Sequence, residues 1–213
     1  MLDWTQIFKI TISLIAIVNP IGGIPVFISA THGWDQQARA HVARIVAATV
    51  LIVLTLAAFF GVGLLSFFGI SIASFLVGGG ILLLLLSISM LHARESPIRQ
   101  TEEEAVEASE REAVGVVPLG IPLLAGPGAI SSVIISSKDL GGGWLSGVVM
   151  LIPIMTAALV VWITFSAGVR ITRRIGTTGI NIITRLMGLV LAAIAIELIA
   201  KGLVGLFPRL GVG

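Results

Sequence analysis

The 213-residue sequence contains no cysteine, and only 11% of its residues are charged. The first absence excludes a disulfide, a thiolate metal site and a cysteine nucleophile, and it leaves the redox compartment unread. The second excludes more, because an ordinary soluble domain carries about a quarter charged residues. With 56% hydrophobic residues and a mean hydropathy of +1.09, the chain is too apolar for a water-soluble globule. No run of Lys or Arg interleaves with aromatics, so nucleic acid is not an expected partner. The apolar stretches hold no paired Ser and His, no His-Glu metal motif and no carboxylate dyad, so an enzyme is not expected either. Gly126-x-Gly128 is not a nucleotide loop, since no Lys-Ser or Lys-Thr follows it and no strand pattern precedes it. His32, Asp35 and His41 lack the spacing of a metal site. No cofactor is expected, with coupling to H+ or Na+ left open.

What the chain does have is apolar length. Stretches at 5–30, 42–64, 70–91, 114–136, 144–168 and 180–206 are each long enough to cross a bilayer. The first is read as a retained span rather than a signal peptide, because Asp3 stands where a basic n-region belongs and the stretch runs on through Asn19, Pro20 and Pro25. Between the third and fourth stretches, His92 to Ala113 holds seven Glu and three Arg. Thr101 and Glu104 have capping-box spacing and Glu107 and Arg111 stand four apart, so this connector reads as a short solvated helix. The expected organisation is a three-helix unit at 1–91, the acidic connector at 92–113 and a second three-helix unit at 114–213.

Orientation follows from the basic residues of the loops. One side receives Arg39, Arg44, Arg94, Arg99, Arg111, Arg170, Arg173 and Arg174, which makes eight, and the other receives Lys9, Lys138, Lys201 and Arg209, which makes four. The richer side is expected in the cytoplasm, which places both termini outside, in the periplasm of a bacterial inner membrane. Trp4, Trp144 and one further Trp lie near predicted span ends, as interface anchors do.

The halves resemble each other. NPIGGIPVFIS at 19–29 aligns with GPGAISSVIIS at 126–136, matching Pro20 to Pro127, and Gly79 before ILLLLLSI corresponds to Gly188 before LVLAAIAI. Two similar units with an odd number of crossings enter the membrane in opposite directions, which is the inverted-repeat plan of secondary transporters. The expected fold is therefore an all-α membrane protein of six transmembrane helices, built as two inverted three-helix repeats with broken first and fourth helices.

Both breaks are written in helix-incompatible residues. Asn19, Pro20, Gly22, Gly23 and Pro25 interrupt the first stretch; Pro118, Pro122, Gly126, Pro127 and Gly128 interrupt the fourth. Irregular backbone in hydrocarbon survives only when buried in protein or lining a wet cavity. A half-helix starts beyond each break, with Asn19 placed to cap and with Pro20 or Pro25, and Pro127, suited to a first helical position. Its free amides and positive dipole end attract a carboxylate, while the unwound carbonyls suit an ammonium group. The expected guest is a small zwitterionic solute, held by Asn19, Pro20, Gly22, Gly23, Gly126, Pro127, Gly128, Ala129, Ser131 and Arg185. Ser131 and Ser132 lie in the first turns of the second half-helix, where they either bind the guest or let helices approach. Glu197, inside the sixth stretch, is the candidate for ion coupling, though Lys201 four residues on offers it a structural partner. Asn181, with Thr177 and Thr178, reads as a helix cap. A homo-oligomer is left open.

At Asn19-Pro20-Ile21-Gly22, at PLGIPLLAGPGAI over 118–130 and at GINIITRLMGL over 179–189, the chain resembles the MarC family over nearly its whole length. The resemblance implies a six-span bacterial inner-membrane protein related to amino-acid exporters, some of whose relatives are associated with neutral amino acids such as alanine and glycine. It departs from that pattern at Leu76, where similar members often carry Arg. The function expected is secondary transport of a small neutral amino acid by alternating access; the alternatives are a drug or metabolite exporter and a non-transporting membrane scaffold.

Overall fold

The computed structural model describes residues 3–31, 33–91 and 124–208, and the described residues are helical with no strand. Six helices follow in chain order: α1 (Trp4–Val18), α2 (Pro20–Ala30), α3 (Gln36–Phe67), α4 (Ile72–Leu91), α5 (Pro127–Asp139) and α6 (Gly143–Leu206). Side chains at their starts explain where several of them begin. Asp3 accepts hydrogen bonds from the Thr5 and Gln6 amides at 3.0 and 3.3 Å, and Asp35 accepts from the Ala38 amide at 2.7 Å, so each caps the helix that follows it.

Helix α6 is one element by hydrogen bonding and two by direction. Gly176 stands at φ 72°, ψ 168°, a conformation that a side chain would strain. The chain turns there, leaving two arms, Gly143–Thr172 and Thr178–Leu206, each apolar enough to span a bilayer. The loop expected between the fifth and sixth stretches is thus a single glycine in an otherwise helical run, and the chain turns five residues before Asn181.

Among the described residues five helices are long and apolar enough to cross a membrane: the α1–α2 pair taken together as Trp4–Ile28, α3, α4 and the two arms of α6. Of the fourth apolar stretch only the portion from Leu124 is described, and it forms the short helix α5. The acidic connector, Pro118 and Pro122 lie outside the described residues.

The buried residues form one core to which all six helices contribute, with Leu14, Phe27, Val50, Leu54, Met150 and Phe165 in α1, α2, α3 and the first arm of α6, Leu83 in α4, Val133 in α5 and Leu191 in the second arm of α6. Much of the outer surface is apolar too. Phe8, Phe60, Leu145 and Leu186 are among many large hydrophobic side chains left exposed, and a surface of that kind belongs against lipid.

Helix α4 and the second arm of α6 lie antiparallel in a register of small residues. A Cβ added at Gly202 would stand 2.7 Å from the Ala73 carbonyl oxygen, one at Gly80 2.9 Å from the Ala195 carbonyl oxygen, and one at Gly188 3.1 Å from the Ser87 carbonyl oxygen. Ala73, Gly80 and Ser87 on one helix and Gly188, Ala195 and Gly202 on the other recur every seven residues. Small residues at that spacing bring two backbones together, which is how membrane helices gain packing energy without a hydrophobic drive. This pair is the wall against which both chain breaks are held.

Candidate functional site

The first break is one residue wide. Asn19 takes up φ 47°, ψ 61°, the left-handed conformation that asparagine tolerates better than other side chains. Its amide donates to the Ile15 carbonyl at 2.9 Å and closes α1. Pro20 then opens α2, where its missing N–H costs nothing. The Asn19 side-chain oxygen accepts from the Gly22 amide at 3.3 Å, and its carbonyl accepts from the Gly23 amide at 3.3 Å. One residue therefore ends one helix and caps the next, as expected from the sequence. Its remaining amide hydrogens are turned to a weak acceptor, the Met90 sulfur of α4, at 3.5 Å.

The second break opens differently. Gly126 occupies the N-cap position of α5 with extended backbone, φ -69°, ψ 177°, Pro127 follows at the first turn, and no side chain caps the helix. In an α-helix the amides of the first turn have no partner of their own. Here those of Gly128 and Ala129 belong to buried residues, with Ala129 only 2% exposed. The resulting partial positive charge is enclosed in protein rather than solvated, where it acts most strongly on an anion.

Packing brings the two breaks to one region. Gly23 of α2 faces Leu124, with 3.6 Å between the leucine Cδ1 and a Cβ built on the glycine, and lies closer still to Phe165 of α6, at 3.0 Å. Phe165 stacks on Phe27 at 4.7 Å and so ties α2 to the first arm of α6. Helix α5 runs antiparallel to α4: Ser131 lies against Gly79, and Gly128 lies against Leu83. Following α4 two more turns reaches Met90, where the Asn19 amide sits, and Gly188 of α6 approaches the Met90 Cβ to 3.1 Å. The start of α5, Asn19 and Gly188 thus surround successive turns of one helix face. Gly188 stands ten residues from Thr178 and 18 from Leu206, about 15 and 27 Å along the arm at 1.5 Å per residue. The first break is within the span, nearer the Gly176 end, and the start of α5, against Leu83 two turns away on α4, lies closer to its middle.

Of the residues expected to form the site, Pro20, Gly23, Gly128, Ala129 and Ser131 are buried, Asn19, Gly22 and Gly126 half-buried and Pro127 exposed. These nine lie on the two breaks. Arg185 and Glu197 are exposed on the second arm of α6. Glu197 pairs with Lys201 at 2.9 Å, with side chains 67% and 63% exposed.

Sequence reasoning passed over three contributors. Met90 is one, since a methionine at a helix end carries no signal of its own. Ser137 donates to the Ala58 carbonyl at 3.1 Å and lies 3.4 Å from the Ser146 hydroxyl, fastening α5 to α3 and α6. Arg39 donates through Nε to the Thr31 carbonyl at 3.2 Å, at the far end of α2. A basic side chain beside terminal helix carbonyls was the available clue. Among the described residues no group of His, Asp or Glu is arranged to hold a metal ion.

Residues 4–207 match the model of the MarC family integral membrane proteins. The membrane protein YhcE of Escherichia coli K12 is 42% identical over 209 residues, covering 98% of this chain and 96% of its own. YvbG of Bacillus subtilis is 36% identical, covering 96% and 97% of the two chains, and an archaeal relative, MJ1677 of Methanocaldococcus jannaschii, is 38% identical, covering 91% and 93%. All three are named only as UPF0056 membrane proteins. No solved structure matches.

Proposed function

The chain belongs to the MarC family of integral membrane proteins, and from that premise we propose that it is a secondary transporter of a small neutral amino acid of the alanine or glycine type. The observation that carries this reading is the uncapped start of α5, whose Gly128 and Ala129 are buried, on the same α4 face as the Asn19 amide. A carboxylate would accept from the Gly128 and Ala129 amides and from Asn19 Nδ2, and the helix dipole would offset its charge. An ammonium group would lie towards backbone carbonyls next to the breaks. Ser131, buried against Gly79, lines the first turns beside it.

In this reading the protein is a bacterial inner-membrane transporter of two inverted three-helix repeats, with 1–91 and 114–213 on either side of the acidic connector and both termini in the periplasm. The α4 pairing with the second arm of α6 serves as the fixed wall. Movement is assigned to the half-helices and to the turn at Gly176. Arg185 takes the role of a headgroup anchor, which suits its exposure. Coupling to H+ or Na+ belongs to the same reading and is assigned to no residue.

One observation favours an alternative. An apolar cleft of about 420 Å³ opens to the lipid side between α3 and the first arm of α6, lined by Ala47, Leu51, Met155, Leu159 and Trp162 among others. A hydrophobic drug or metabolite would suit it. The deciding experiment is flux through purified protein in proteoliposomes, labelled alanine against a hydrophobic cation. Alanine flux supports the proposal, and cation flux without alanine flux replaces it with the alternative.

A further inference from the structure

Thr184 carries a buried hydroxyl that meets no partner among the described residues. Helical threonines usually avoid this by donating to the carbonyl one turn back. In this chain Thr11, Thr31, Thr156 and Thr172 do so, at 2.8, 2.7, 2.8 and 3.0 Å. Thr184 does not, and a buried hydroxyl left unpaired is a standing cost to the fold.

Its position explains what the group could be kept for. Ile180, Thr184, Gly188, Leu191 and Ala195 succeed one another at helical spacing, and the other four members of this row are buried. Arg185, the next residue along, falls about 100° around the helix and is exposed. Gly188, one turn from Thr184 on the same row, touches Met90. Because α4 and this arm are antiparallel, the step from Gly188 back to Thr184 leads past the Met90 end of α4. On that end Asn19 spends its Nδ2 on the Met90 sulfur alone, a weak acceptor on a flexible side chain. Asn19 thus has a weak partner in Met90, and Thr184 lies one turn beyond Gly188, which touches the same methionine.

We propose that Thr184 is a solute-binding residue whose hydroxyl, together with Asn19 Nδ2, donates to the carboxylate of the transported amino acid when Met90 gives way. The assignment rests on the transport reading above and adds a residue to it. Two neutral donors match an oxyanion.

The test uses purified full-length protein with alanine as the probe, comparing wild type, Thr184→Val and Thr184→Ser by melting temperature and by binding titration. Valine keeps the shape and deletes the hydroxyl. The expected result is that Thr184→Val melts at or above the wild-type temperature without alanine, because an unpaired buried group has gone, while its Kd for alanine rises roughly tenfold or more. Thr184→Ser stays within about threefold of wild type. Equal alanine affinity in Thr184→Val and wild type overturns this assignment and leaves the transport reading standing. A lower melting point in Thr184→Val without alanine also overturns it, since the hydroxyl would then serve the fold. Should Thr184→Val not be recovered from membranes, Thr184→Ala is read in the same titration. Absence of binding by wild type to any neutral amino acid overturns the transport reading and this assignment together.

Discussion

The two chain breaks interrupt their helices alike and treat their own polar groups in opposite ways. At the first, Asn19 turns back on the helix it starts, placing its side-chain oxygen on the Gly22 amide and its carbonyl under Gly23. At the second, Gly126 has no side chain to offer, and the amides of Gly128 and Ala129 are left within the protein without a side-chain cap. One terminus is closed by its own residue; the other is open. In aligned halves the difference comes down to asparagine at position 19 against glycine at position 126, and it indicates that a pair of matched half-helices need not share a guest equally. In the proposed transport reading the open terminus would hold the charge of the guest, while the closed one would hold the bundle and contribute only the leftover Asn19 amide.

Closing the open terminus is the most damaging way to test this. Gly126 has the extended backbone that an N-cap residue needs, so Gly126→Asp should cap α5 with its own carboxylate. Alanine flux in proteoliposomes is expected to fall to background while the melting temperature rises, the gain being about 1 kcal/mol. Retained flux would mean that the start of α5 holds no solute. The bulkier Gly128→Leu should also stop flux, but it drives into Leu83 and so confounds site loss with misfolding.

Opening the closed terminus should have a smaller effect, and one of a different kind. Asn19→Ala removes the cap and forces an alanine into a left-handed conformation, for about 2–3 kcal/mol of destabilisation together. Asn19→Gly keeps the backbone free and should cost only a few tenths of a kcal/mol. Thermal melts of the two variants give the ordering, and equal melting points would show that Asn19 is not held as described. The smallest effect is expected furthest from either break: Glu197→Gln loses only an exposed pair with Lys201 and should leave alanine flux and its pH dependence within about twofold of wild type. A lost pH dependence would make Glu197 the coupling residue despite its outward position.

Much of this comparison was legible in the order of residues. Asn19-Pro20 and Gly126-Pro127 announce a helix start, because proline tolerates only the first turn and asparagine suits the position before it. The small residues at 73, 80 and 87 and at 188, 195 and 202 also stand in the sequence at a fixed spacing, though which helix they face is not written there. Other features were hidden. Arg185 and Thr184 are neighbours in the chain and only the charge of Arg185 stands out in the sequence, whereas the row through Ile180, Gly188 and Leu191 shields the Thr184 hydroxyl and leaves Arg185 exposed. Met90 enters only because α4 ends where α1 breaks. At Gly176 the polar run RITRRIGTT over 170–178 reads as a loop, whereas the backbone stays helical on either side of a single glycine at φ 72°.

Local chemistry thus determined that the chain lives in lipid, where its helices are interrupted and which residues open each half-helix, since hydropathy and backbone restriction act within a few residues of one another. Tertiary structure alone decided that the interruptions meet on one face of α4, that one is closed and the other open, and which side of the last arm is buried. Those outcomes depend on how closely backbones approach and on the rotation of each helix about its axis, and both are set by partners 70 or more residues away, such as Met90 for Asn19.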